Sequence, residues 1–153
     1  MVSAIVDRQA NQSLVIAGVL LVLFGLVLGA AIPVFANPRM ALSAHQQGVI
    51  GGILLVLFGL TWPWTVLSDR QSRVTARLLK VGAYAIWVGI LLAAAFGTSR
   101  ATPIAGAGFE GARWQELSVS IVLMFGSLSA IFGTALLLVG LFRGARRSGK
   151  DLI

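Results

Sequence analysis

Residues 14–36 read LVIAGVLLVLFGLVLGAAIPVFA, a stretch without one charge. A helix rises 1.5 Å per residue, so about 20 residues cross the roughly 30 Å hydrocarbon core of a bilayer. Three further windows have the same character: 46–68, 81–99 and 117–142. All seventeen charged residues of the 153-residue chain lie outside these four windows. Unbroken apolar runs fit helices and not the alternating strands of a barrel. The expected fold is all-α, an integral membrane four-helix bundle forming a single membrane domain over 1–153. Its helices are expected at about 14–36, 46–68, 78–99 and 116–142, with a basic cytoplasmic tail at 143–153.

Composition excludes the main alternatives. Hydrophobic residues make up 58% and charged residues 11%, with a mean hydropathy of +0.92; soluble domains carry about 25% charged residues. A 16.1 kDa soluble protein has too little interior to hide that much apolar surface. An ordinary cytosolic enzyme, a disordered chain and a secreted disulfide scaffold are thereby set aside. The absence of cysteine removes disulfides, thiolate metal sites and cysteine nucleophiles. Val34-Phe35-Ala36 loosely resembles a signal-cleavage site, but the apolar run is about twice a signal core, so a retained helix is expected.

Nine of the twelve Lys and Arg residues fall in the N-terminal segment, the second connection and the C-terminal tail; only Arg39, Arg100 and Arg113 fall in the other two connections. The positive-inside rule then puts both termini in the cytoplasm. The net charge of +7 reads as this topology signal touching anionic lipid headgroups, not as a nucleic-acid footprint, because no aromatic residues interleave the charges. Trp62, Trp64 and Trp114 read as interfacial anchors. No Asp, Glu, Lys or Arg lies within a charge-free span, which argues against an ion-coupled pump or transporter.

Glycines recur seven apart: Gly18 and Gly25; Gly52 and Gly59; Gly82 and Gly89; Gly126, Gly133 and Gly140. Such stripes predict close helix approach. Leu-Leu-Val-Leu-Phe-Gly-Leu occurs at both 20–26 and 54–60, too short a match to establish a duplication. Gly106 to Gly111 fits G-x-G-x-x-G literally, but the nucleotide fingerprint needs a strand before it and a helix opening after it. Here it reads as a flexible connection.

His45, the sole histidine, precedes the second charge-free window, with Ser43 as a candidate N-cap. Gly48 and Gly52 follow at i+3 and i+7 on its face. Histidine is a common haem ligand, and a flat macrocycle needs a wall without side chains. The bland alternative is an interfacial hydrogen-bonding residue. Helix register puts Gln115 and Glu116 near the level of His45, with Arg39, Arg100 and Arg113 as candidate partners for carboxylates such as haem propionates. Tyr84 falls about a dozen residues away, roughly 15–20 Å.

These residues resemble a known family. Asn37-Pro38-Arg39-Met40-Ala41-Leu42-Ser43-Ala44-His45 is similar to the segment opening the second helix of bacterial hydroxylaminobenzene mutases. Thr75-Ala76-Arg77-Leu78-Leu79 resembles the related styrene oxide isomerases, whereas Tyr84-Ala85-Ile86-Trp87, Pro103-Ile104-Ala105-Gly106 and Gln115-Glu116 resemble the mutase branch. The resemblance spans about residues 10 to 145. Two departures stand out: Gly51 and Ile86 occupy positions where the isomerases and mutases, respectively, carry Asn, and the isomerases' tyrosine falls near Ile90 or Ala94.

The resemblance implies a small membrane isomerase in a bacterial inner membrane, a homotrimer carrying haem b with iron on His45. It implies rearrangement of hydroxylaminobenzene to 2-aminophenol. On that reading His45, Gly48, Gly52, Arg39 and Arg100 bind the cofactor, and Glu116 with Gln115 handles protons around a small aromatic substrate. The alternatives are an epoxide isomerase of the styrene oxide type and a non-catalytic membrane subunit.

Overall fold

The computed structural model describes residues 2–148, and side chains from Gln9 to Arg147. Four long helices form: α1 (Val2–Ala30), α2 (Pro38–Thr61), α3 (Asp69–Phe96) and α4 (Arg113–Ser148). Single 3-10 turns follow α1 at Ile32–Val34 and α2 at Trp62–Trp64, and no strand occurs among the described residues. All four helices are long and apolar enough to cross a membrane. Lys150 and the rest of 149–153 lie outside the described residues.

All four helices begin before their charge-free windows and the first three end before them, because capping and turns, not hydropathy, set helix ends. The Asn37 side chain accepts from the backbone N–H groups of Arg39 and Met40, with Pro38 at the first helical position. α2 therefore begins eight residues before its window, and His45 sits inside the helix. Ser43 is not the cap; its hydroxyl donates to the Arg39 carbonyl one turn back. Ser68 and Gln71 form a reciprocal capping box at the start of α3. α3 ends at Gly97, whose φ of 64° is the left-handed conformation that glycine adopts without a Cβ clash.

The glycine stripes are spent inside the chain. A Cβ built on Gly48 would lie 2.7 Å from Gly25 Cα, and one on Gly18 would lie 2.6 Å from the Gly52 carbonyl oxygen. Gly82 and Gly89 meet Ala130 and Leu123, while Gly126 and Gly133 meet Ile86 and Leu79. In each pair the contacts climb one helix as they descend the other, Gly18 and Gly25 against Gly52 and Gly48, Gly82 and Gly89 against Ala130 and Leu123, so α1–α2 and α3–α4 are antiparallel neighbours in near backbone contact. α2 packs on α3, and α3 lies parallel to α1 more lightly.

Leu14, Leu21, Leu55, Leu79 and Trp62 form one core; Met40, Ala41, Ala93, Ala94 and Val119 form another. Trp62 is fully buried and donates to Ser72 Oγ at 3.3 Å, so it is a core residue and not an interfacial anchor. Trp64 and Trp114 are exposed, as anchors should be. Ile16, Val27, Phe125 and Phe132 are among the large apolar residues presented outward. The Gly106 to Gly111 segment is a run of turns between α3 and α4, with no strand to support a nucleotide.

Candidate functional site

His45 is half-buried on α2 with its ring against α1. Its Nδ1 lies 2.8 Å from the Gly25 carbonyl oxygen. A carbonyl only accepts, so Nδ1 is a protonated nitrogen, and in the neutral tautomer this selects the lone pair is on Nε2. The ring rests in a notch at Gly29, where a Cβ would come within 2.7 Å of Nδ1. One nitrogen fixed by a backbone carbonyl and the other left as a donor is the arrangement of a ligating histidine. Among the described residues no group of three or more His, Cys, Asp or Glu could hold a bare ion. A single oriented imidazole does fit a macrocycle that brings four nitrogen donors of its own.

The other expected cofactor residues are placed differently. Gly48 and Gly52 are buried against Gly25 and Gly18 of α1, so the smooth face they make is filled by a helix of the same chain. Gly48 also abuts the Trp87 indole, whose Nε1 is buried without a hydrogen-bond partner. Phe24 stacks on Trp87 at 5.8 Å, making an aromatic layer at this level. The Arg39 guanidinium donates to the Ala107 carbonyl and lies 5.7 Å from the Phe109 ring centre. Arg100 has an exposed side chain, and its backbone N–H donates to Glu116.

Glu116 is only 8% exposed, and both carboxylate oxygens are engaged. Oε1 accepts from the N–H groups of Ser99 (3.0 Å) and Gly111 (3.1 Å); Oε2 accepts from Arg100 (2.9 Å). Gln115 Oε1 accepts from Ala112 N–H at 2.7 Å. This pair fastens both ends of the α3–α4 connection. The helix register places Glu116 about six residues, roughly 9 Å, beyond the level of His45 toward that connection. The structure therefore does not bring Glu116 and His45 together.

Two positions were missed from sequence alone. Asn37 is fully buried; besides capping α2 it donates from Nδ2 to the Ala105 carbonyl (3.1 Å), and its N–H donates to the Ala94 carbonyl (3.0 Å). It thus ties the His45 helix to α3 and to the last connection. The Asn-Pro pair is a recognisable helix start, so this signal was present. Gln47 is the second. It lines a cavity of about 130 Å³ between α2, α3 and α4 with Gly51, Phe58, Ile86 and Thr134. Its Nε2 lies 3.3 Å from where a Gly51 Cβ would stand. Both positions of family departure, Gly51 and Ile86, thus border one apolar, ring-sized space with an amide and a hydroxyl on its wall.

Tyr84 donates to the Ala17 carbonyl at 2.8 Å. Ala17 and Gly25 are eight residues apart on α1, about 12 Å. Tyr84 is therefore remote from His45, as the depth arithmetic expects.

Comparison with known proteins identifies the family. Hydroxylaminobenzene mutase HabA of Ectopseudomonas oleovorans is 39% identical over 129 residues, covering 83% of this chain and 95% of that protein. Hydroxylaminobenzene mutase HabB of the same organism is 36% identical over 146 residues, covering 95% of this chain and 89% of HabB. No solved structure matches at a significant level. The styrene oxide isomerase family model matches residues 10–142. With four membrane-length helices and this match over most of its length, the chain belongs to the styrene oxide isomerase family and is a multi-pass membrane isomerase.

Proposed function

We propose that this chain is a haem-dependent hydroxylaminobenzene mutase, converting the arylhydroxylamine to 2-aminophenol. The observation that carries the haem assignment is the His45 ring, pinned through Nδ1 to Gly25 with Nε2 left as a donor. Similarity to the two mutases supports the substrate. The reaction is balanced without a co-reactant: the N–O bond breaks, a C–O bond forms at the ortho carbon, and the ortho proton is returned to nitrogen. Haem, if held on His45, would supply a Lewis-acidic iron to the reaction.

The chain's own residues hold and enclose. Gly25 and Gly29 fix the imidazole plane. The Gln47–Gly51–Thr134 cavity opens on the face of α2 turned away from His45, with Thr134 about twelve residues deeper in the bundle, so it is not where an iron on His45 and the substrate's N–O bond would meet. Apolar helix faces keep water from capturing the migrating group. Arg39 and Arg100 border the layer that would carry the propionates. We assign Glu116 and Gln115 the fastening of the α3–α4 connection in place of proton transfer. The reading includes a homotrimer in a bacterial inner membrane with both termini cytoplasmic, a topology supported by nine basic residues against three.

The test is a visible spectrum of the purified full-length chain together with product analysis. A Soret band, its loss in His45→Ala, and formation of 2-aminophenol from hydroxylaminobenzene are expected. Full activity in a colourless preparation would overturn the haem assignment. Turnover of styrene oxide to phenylacetaldehyde in preference would overturn the substrate.

A further inference from the structure

On α3, Arg73, Arg77, Lys80 and Tyr84 recur at i, i+4, i+7 and i+11, one stripe of the helix. The stripe faces α1. Lys80 Nζ donates to Ser13 Oγ at 3.2 Å, and one turn deeper Tyr84 closes the helix pair on Ala17. Between that closure and the end of the bundle the helices part. They leave a groove of about 190 Å³, floored by Ala10 and Ala76, with Ser13 on one wall and the three cations on the other.

This end of the bundle has a surplus of positive charge. Its segments hold nine Lys and Arg against Asp7, Asp69 and Asp151. The Arg73 and Arg77 side chains are exposed, and the Lys80 ammonium, holding three donors, spends one on Ser13. Lys80 lies eleven residues into its helix, about 16 Å from the start. The Ser13 contact holds the ammonium in the groove at that depth instead of letting it reach the aqueous edge. Apolar surface flanks the cations: Ile16 on α1 and Val74 and Val81 on α3 face outward. Cations in a groove between membrane helices, bordered by aliphatic side chains, match a headgroup phosphate whose acyl chains run along the helices.

We propose that the α1–α3 groove binds the phosphate of an anionic phospholipid, with Lys80 and Ser13 at its inner end and Arg77 and Arg73 around the outer oxygens. The site is independent of His45 and its reaction. It is tested on the full-length chain in neutral detergent by the shift in thermal midpoint on adding phosphatidylglycerol, phosphatidylcholine or inorganic phosphate. Native mass spectrometry counts retained lipid. Phosphatidylglycerol alone should stabilise the protein. Arg77→Gln with Lys80→Gln should weaken its apparent affinity by about tenfold or more, the scale of one or two charge-assisted hydrogen bonds. Arg143→Gln with Arg147→Gln, which removes as much charge from α4, should leave it unchanged. Ser13→Ala, which alters no charge, should weaken it by about threefold and covers the case in which the double variant fails to fold. Equal response to phosphatidylcholine, reproduction of the shift by inorganic phosphate, or equal loss in the α4 control would each overturn the proposal.

Discussion

Glu116→Gln separates a structural carboxylate from a proton-transferring one. The native side chain presents acceptors only, and three backbone N–H groups converge on it from Ser99, Arg100 and Gly111. Glutamine keeps the size but offers one acceptor and an NH₂ group. With its oxygen toward Ser99 and Gly111, the NH₂ faces the Arg100 N–H, donor against donor. Two bonds fall from charged to neutral strength and a third is lost with its donor stranded. Charged hydrogen bonds contribute about 1.5–3 kcal/mol and neutral ones about 0.5–1.5, so the substitution should destabilise by about 3–5 kcal/mol. For a chain of this size that is roughly 10 °C in thermal midpoint. The assay pairs a detergent melting curve with turnover measured well below the midpoint. The expected result is a large shift in midpoint and turnover within about tenfold of wild type. A turnover loss of about 10²–10⁴, the usual contribution of a general acid or base, at an unchanged midpoint would refute the fastening role.

Four further outcomes are expected. His45→Ala should insert normally, since the apolar spans and charge bias are unchanged, yet lack the Soret band. Gly29→Ala should push the imidazole from its notch and weaken haem retention at least about tenfold, the equivalent of one hydrogen bond, in a haem-titration measurement. Tyr84→Phe removes one bond to Ala17 and should cost about 0.5–1.5 kcal/mol of stability while sparing turnover; a loss beyond about 100-fold would place Tyr84 at the reacting atoms. A reporter fused after Ile153 should be active only as a cytoplasmic reporter, and periplasmic activity would overturn the topology.

Membrane helices are the most legible feature of this sequence because lipid demands length and charge exclusion together. Their ends were less legible. Arg73, Arg77 and Lys80 lie within α3, and hydropathy marks lipid contact whereas hydrogen bonding and caps such as Asn37 decide where a helix begins. The glycine stripes correctly announced close packing. A stripe fixes an angle on one helix but not the partner that fills it, so Gly48 and Gly52 looked like an open wall until α1 was placed against them. Glu116 illustrates a second limit: an isolated carboxylate near a candidate centre reads as chemistry, because the backbone N–H groups that engage it leave no trace in residue type. Gln47 was overlooked for the converse reason. An amide beside a glycine acquires meaning only when three helices enclose the space between them.

The pairing of α1 with α2 and of α3 with α4 has a consequence for biogenesis. Each pair is an antiparallel hairpin with its own glycine seam, and the two halves meet chiefly where α2 packs on α3. The first hairpin contains Gly25, Gly29 and His45, so the contacts that orient the histidine all lie within one half of the chain. The molecule should therefore tolerate being severed in the 65–68 segment: two separately translated hairpins, co-expressed, should find each other in the bilayer and co-purify.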